Sequence, residues 1–144
     1  MNIFVSCAIG LEPVLADEIS NIISCKDADD FGAAEVKPTK AGVSLEGDLE
    51  TAYRLCLWSR VASRVLLPLF ECDATVDDLY HSAVEQNWAE YLQPGTAIAI
   101  DFSGKNKHIR HTRFGALKIK DAIADWHQAR DLDVPYLDLS LIHI

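Results

Sequence analysis

The stretch FSGKNKHIRHTRFGALKIKDAIADWHQAR, Phe102 to Arg130, decides how this chain is read. Phe102-Ser103-Gly104 closes a strand, because Thr96 to Phe102 alternates Ala97, Ala99 and Asp101 against Ile98, Ile100 and Phe102, the period of a sheet buried mainly on one face. Lys105 to His111 has no apolar periodicity and reads as a loop. Thr112 is placed to cap a helix running to about Arg130. On that helix Ala116, Ile119, Ile123 and Trp126 recur at spacings of three and four, one stripe that faces a core. Lys118 and Lys120 lie about 100° to either side of Ile119 and flank the stripe.

The same stretch carries Lys105, Lys107, Arg110, Arg113, Lys118, Lys120 and Arg130 against Asp121 and Asp125, a local balance of +5. The whole chain sums to −9, so the remainder sums to −14. A body this acidic has no general reason to bind a polyanion, whereas a basic island on it points to one surface with an anionic partner, RNA first among them. Arg110 and Arg113 stand at the helix N-terminus, where the macrodipole disfavours positive charge by up to about 1 kcal/mol each. Free backbone N–H groups there attract anions, so a phosphate would relieve the one and use the other. An ordinary solvated charged face is the competing reading of the same residues.

Outward from the island, 144 residues suit one domain or two small ones, and 49% apolar residues suffice for a core. Asn2 to Ala8 alternates as a strand, and Gly10 opens a helix with Pro13 in its first turn and Leu11, Leu15, Ile19, Ile22 and Ile23 as its buried stripe. Ala34 to Lys37 and Gly42 to Glu46 read as short strands. Asp48 caps a helix from Leu49 to about Trp58 whose core residues are Ala52, Leu55, Cys56 and Trp58. Arg60 and Arg64 form a second basic pair, and Val65 to Phe70 is an apolar strand that Pro68 confines to an edge or a bulge. Thr75 caps a helix bearing Val76, Leu79, Tyr80 and Val84, with Asp77 and Asp78 in its first turn. Pro94-Gly95 makes a turn. The order βαββα, then β, α, β, α, predicts an α/β or α+β protein, divided between Gly47 and Arg60.

No apolar run approaches the roughly 18 residues of a membrane span, and Met1 to Val5 lacks the form of a signal peptide, so a cytoplasmic protein without a membrane partner is expected. Cys7, Cys25, Cys56 and Cys72 show no CxxC spacing and are expected as buried thiols, and His108 with His111 completes no metal set. No GxGxxG, Walker loop, GxSxG or HExxH occurs. No catalytic residue, metal ligand or cofactor site is expected in this chain.

Four segments in order resemble the N-terminal region of the bifunctional bacterial 23S ribosomal RNA guanine methyltransferase family, the K/L enzymes. They are Gly10-Leu11-Glu12; Leu57-Trp58-Ser59-Arg60-Val61-Ala62-Ser63-Arg64 with Leu67-Pro68-Leu69; Asn87-Trp88 with Pro94-Gly95; and Phe102-Ser103-Gly104 followed by Gly115 to Ile123. The resemblance covers roughly residues 3 to 135. It implies a ferredoxin-like unit, placed at 1–47, followed by a THUMP domain that binds structured RNA, placed at 48–138. In that family two downstream methyltransferase domains use S-adenosylmethionine to make N2-methylguanine and N7-methylguanine in 23S ribosomal RNA. This chain is then a substrate-recruiting part, with those domains and that RNA as its partners and S-adenosylmethionine needed only by the parent.

Two features depart from the family. Ser24 to Lys40 is longer than the usual connection, and residues 139–144 do not resemble the family's next strand. The expectation is a THUMP sheet truncated at its C-terminal end, with 139–144 a non-native tail and one strand edge left open. Under this reading Lys105, Lys107, Arg110, Arg113, Lys118 and Lys120 contact phosphates, with Arg60 and Arg64 as a second patch. Such contacts position RNA without choosing its sequence. For Arg60 and Arg64, charges that bond last-turn helix carbonyls are the alternative. Trp88 and Trp126 are of a type that stacks on bases, but their place in apolar stripes favours core packing. Two competing readings remain: a module that docks the basic loop on an acidic protein face, and a stand-alone enzyme.

Overall fold

Ile3, Val5 and Cys7 are buried while Phe4 and Ser6 between them are only partly so, and this alternation puts strand β1 (Asn2–Ser6) at the centre of a sheet. In the computed structural model, which describes residues 1–24, 35–93, 96–104 and 106–137, β1 pairs with β3 (Gly42–Glu46) on one side and β4 (Arg64–Leu66) on the other. Strand β2 (Lys37–Thr39) adds outside β3, and every pairing is antiparallel. The register sets Ile3 opposite Leu45, and Val5 opposite both Val43 and Val65. Helices α1 (Glu12–Ser24) and α2 (Leu49–Trp58) make the two connections, and Leu15, Ile19, Ala52 and Leu55 close one core with that face of the sheet. Each large side chain so enclosed contributes about 1.5–3 kcal/mol. A βαββαβ chain with sheet order β2-β3-β1-β4 is the ferredoxin-like arrangement that the resemblance implies.

Three local devices hold this unit. Asp48 accepts the backbone N–H of Thr51 at 2.7 Å and caps α2. Glu12 accepts from the N–H of Gly10 at 2.7 Å and of Ala41 at 3.1 Å, tying the start of α1 to the β2–β3 turn. Gly42 leaves no room for a side chain, because a Cβ there would stand 2.4 Å from the Val5 carbonyl oxygen.

Several expectations are corrected. The first unit runs from Met1 to Pro68, so the division expected at Gly47/Asp48 falls later, because β4 returns to pair with β1. Strand β4 ends at Leu66, short of Phe70, with Pro68 beyond it unable to donate to a ladder. Leu11 is exposed, since it precedes the first turn of α1. Cys56 and Trp58 are also exposed, because α2 carries apolar residues on both sides and packs through Thr51, Ala52 and Leu55. Among the other cysteines Cys7 is buried, Cys72 is half-buried and Cys25 lies outside the described residues.

The second unit, Leu69–Ile144, holds α3 (Val76–Glu85), a 3₁₀ turn at Trp88–Glu90, β5 (Ala97–Ile98), α4 (Thr112–Gln128) and β6 (Tyr136–Leu137). Thr75 caps α3 by accepting from the N–H of Asp78. Helix α3 lies against α4, and Ala83, Trp88, Ala122, Ile123 and Trp126 form the core. Both tryptophans are thus core residues, and the Trp88 indole donates to the Ala83 carbonyl at 2.7 Å. β5 is shorter than expected and pairs parallel with β6, Ala97 opposite Tyr136 and Ile98 opposite Leu137. The alternation of Thr96 to Phe102 still holds in burial: Ile98, Ile100 and Phe102 are covered and Ala97, Ala99 and Asp101 are not. The Pro94-Gly95 turn and residues 138–144 lie outside the described residues. No described helix is long and apolar enough to cross a membrane.

Candidate nucleic-acid interface

The basic loop has an internal frame that its composition conceals. The Asn106 side-chain oxygen accepts from the N–H of His108 at 2.8 Å and of Ile109 at 2.6 Å, and its amide nitrogen donates to the Ala74 carbonyl at 2.7 Å. The Asn106 N–H donates to the Ile109 carbonyl at 3.0 Å. Ile109 is buried, so the loop is pinned by one amide and one apolar anchor while Lys107, His108, Arg110 and His111 stay exposed. Sequence reading missed both; an Asn two residues before a turn position is the signal that could have found the first.

Helix α4 begins at Thr112 with His111 as its N-cap, in place of the expected Thr112 cap, and no side chain bonds the cap position. Nor is there an acidic residue in its first turn. Its backbone donors and dipole therefore meet positive side chains, an arrangement that costs stability until an anion arrives. The helix can lie close to the preceding segment because of Gly115, where a Cβ would stand 2.8 Å from the Phe102 ring.

The structure sorts the expected contact residues. Among the described residues Lys107, Arg110, Arg113 and Lys118 enter no ion pair, and all but the half-buried Lys118 are exposed. Lys118 Nζ stands 5.8 Å from the centroid of the Phe114 ring. Lys120 lies about 160° around the helix from Lys118 but within about 20° of Arg113, and its ammonium sits 3.5 Å from the Asp121 carboxylate. Arg130 is used structurally: its guanidinium lies 4.2 Å over the Trp126 ring and donates to the Trp126 carbonyl. Lys105 lies outside the described residues.

Arg60 and Arg64 belong to the first unit. Glu18 of α1 accepts from the Ser59 hydroxyl at 2.5 Å, the Arg60 N–H at 2.9 Å and the Val61 N–H at 3.3 Å. Burial pushes the Glu18 carboxyl up, but the Ser59 hydroxyl, those two N–H groups and the Arg60 charge outweigh it and hold the carboxyl below its ordinary range. The Ser59-Arg60-Val61 string is thus a buckle between α1 and the segment entering β4. Neither arginine bonds a last-turn carbonyl of α2, whose end is closed by the Ser59 N–H on the Leu55 carbonyl. Both side chains are exposed.

Two family models match this chain, the RlmL ferredoxin-like domain over residues 2–66 and the THUMP domain over residues 73–135. Residues 2–66 are thus similar to the one domain family and residues 73–135 to the other. It is 40% identical over 141 residues to a ribosomal RNA large subunit methyltransferase K/L from Chromohalobacter salexigens, covering 96% of this chain and 18% of that protein. A protein of the same name from Hahella chejuensis is 45% identical over 138 residues, 95% of this chain and 18% of its own length. The chain therefore spans under a fifth of these curated relatives. Among solved structures, SMU.472, crystallised in complex with SAH, is similar with a TM-score of 0.74 at 19% identity, over 94% of this chain and 37% of that one, which speaks for the fold alone.

The cavity found in the second unit does not fit S-adenosylmethionine. It measures about 410 Å³ and is lined by Cys72, Asp73, Leu79, Phe102, Ser103 and Ile109 among others. It offers one carboxylate and no glycine-rich strand-to-helix turn to receive a nucleoside. Among the described residues no cluster of His, Cys, Asp or Glu is placed to hold a metal.

Proposed function

We propose that this chain is the RNA-holding, substrate-recruiting part of a 23S ribosomal RNA guanine methyltransferase, and that methyl transfer from S-adenosylmethionine is performed by parts of the protein outside these residues. The observation that carries the reading is the set Lys107, Arg110, Arg113 and Lys118: four cations without carboxylate partners among the described residues, spread over the loop and the first two turns of a helix whose N-terminus has neither acid nor side-chain cap, in a unit matching THUMP. Lys105 joins this set by sequence. Lys120, in line with Arg113 but beside the Asp121 carboxylate, is a weaker contact, and Arg60 and Arg64 make a second patch on the first unit.

The physical action is electrostatic. Each side chain that neutralises a phosphate releases condensed counterions, and the geometry of the rigid helix fixes which backbone segment is held. Replacing Arg110 and Lys118 by Glu tests this on a hairpin of 23S ribosomal RNA. The expected result is loss of RNA affinity with an unchanged thermal midpoint. Unaltered RNA affinity, with contact to the rest of the enzyme broken instead, would establish the basic loop as a protein-docking surface.

A further inference from the structure

Phe114 is 43% exposed in the first turn of α4 and does not belong to the core of its unit. Single exposed apolar side chains are ordinary, and this one is distinguished by what surrounds it. Arg113 precedes it, exposed and without an ion pair among the described residues, and Lys118 one turn on holds its ammonium over one face of the ring, 5.8 Å from the centroid. Going around α4, the buried residues Gly115, Ala116, Ala122, Ile123, Trp126 and His127 occupy one side. Phe114 falls on the opposite arc, with Arg113 about 100° to one side and Lys118 about 40° to the other.

We propose that Phe114 is a stacking platform for one unpaired base, and hence that the RNA recognised here contains an unpaired nucleotide within reach of the α4 N-terminus. This rests on the RNA-holding reading above and narrows it to a substrate class. A flat aromatic surface between cations is the arrangement by which single-stranded nucleic acid is held: the ring takes the base face and the cations take the flanking phosphates. Duplex RNA presents no free base face, so the ring gives it nothing. The position is stiff, because Gly115 brings the helix against the Phe102 ring and Ile109 anchors the loop before it.

The test uses the full chain with two blunt-ended RNA duplexes of the same paired sequence, one fully paired and one with a single bulged 2-aminopurine, titrated against wild type, Phe114→Ala, Phe114→Trp and Arg110→Gln. Wild type is expected to prefer the bulged RNA and to change its 2-aminopurine fluorescence on binding. Phe114→Ala should lose that signal and about 5- to 150-fold of the bulged-RNA affinity, with paired-RNA affinity and salt dependence unchanged. Phe114→Trp should keep both. If Phe114→Ala binds the bulged RNA as wild type does while Arg110→Gln weakens both duplexes, the platform is refuted and the RNA-holding reading stands. If Phe114→Ala weakens both duplexes equally, the ring serves helix structure, and stacking is likewise refuted. Wild type binding neither RNA would overturn both proposals.

Discussion

At the scale of the residue, two side chains bear the most testable consequences. A Cβ at Gly115 would stand 2.8 Å from three atoms of the Phe102 ring, so Gly115→Ala is expected to destabilise the second unit by about 1–3 kcal/mol in urea unfolding, although alanine is the better helix former. An unchanged midpoint would mean that the ring gives way freely. Glu18, its carboxyl held low in the fold by Ser59, Arg60 and Val61 against the effect of burial, contributes stability that is present above its unfolded pKa and lost as pH falls through its folded one. Glu18→Gln should therefore flatten the acid limb of the first unit's stability profile. The caps at Asp48 and Thr75 were legible because each stands just before an apolar-periodic run, and the structure shows the side chain accepting in both. Asn106 and Ile109 were not legible, since a single amide and a single isoleucine in a basic loop carry no periodicity.

Elements show where pattern fails for a physical reason. On α2, Leu49, Tyr53, Cys56 and Leu57 are exposed and Thr51, Ala52 and Leu55 are buried. Apolar residues thus lie on both sides, and hydropathy alone cannot select the packed one. On α1 and α4 one side is polar, and Leu15, Ile19, Ile123 and Trp126 are buried as their spacing predicts. The segment 96–102 shows a different failure: its alternation sets which side chains are covered, yet only Ala97–Ile98 finds a ladder partner among the described residues. The start of α4 offers the sharpest element-level prediction. His111 gives no side-chain cap, so His111→Asp should stabilise the helix by about 0.5–2 kcal/mol in thermal or urea unfolding. The same change brings a negative charge to the site proposed for phosphate and should weaken RNA binding. Gain in stability without loss of affinity would separate the helix terminus from the interface.

For the whole molecule, the sheet order β2-β3-β1-β4 and the two family matches agree with the ferredoxin-like and THUMP resemblance read from short strings. The division at Pro68 was not legible, because the strand that completes the first sheet follows a helix and its pairing with β1 leaves no local mark. A net charge of −9 repels RNA from most of the surface, so binding must rest on few contacts and fall with salt. The central claim is that Lys107, Arg110, Arg113 and Lys118 hold phosphates, and the most direct measurement is the slope of log affinity against log salt for a 23S ribosomal RNA hairpin. Neutralising these four to Gln one after another should lower the magnitude of that slope by about 0.7–0.9 for each contact removed. A slope that stays at the wild-type value through all four changes would contradict it.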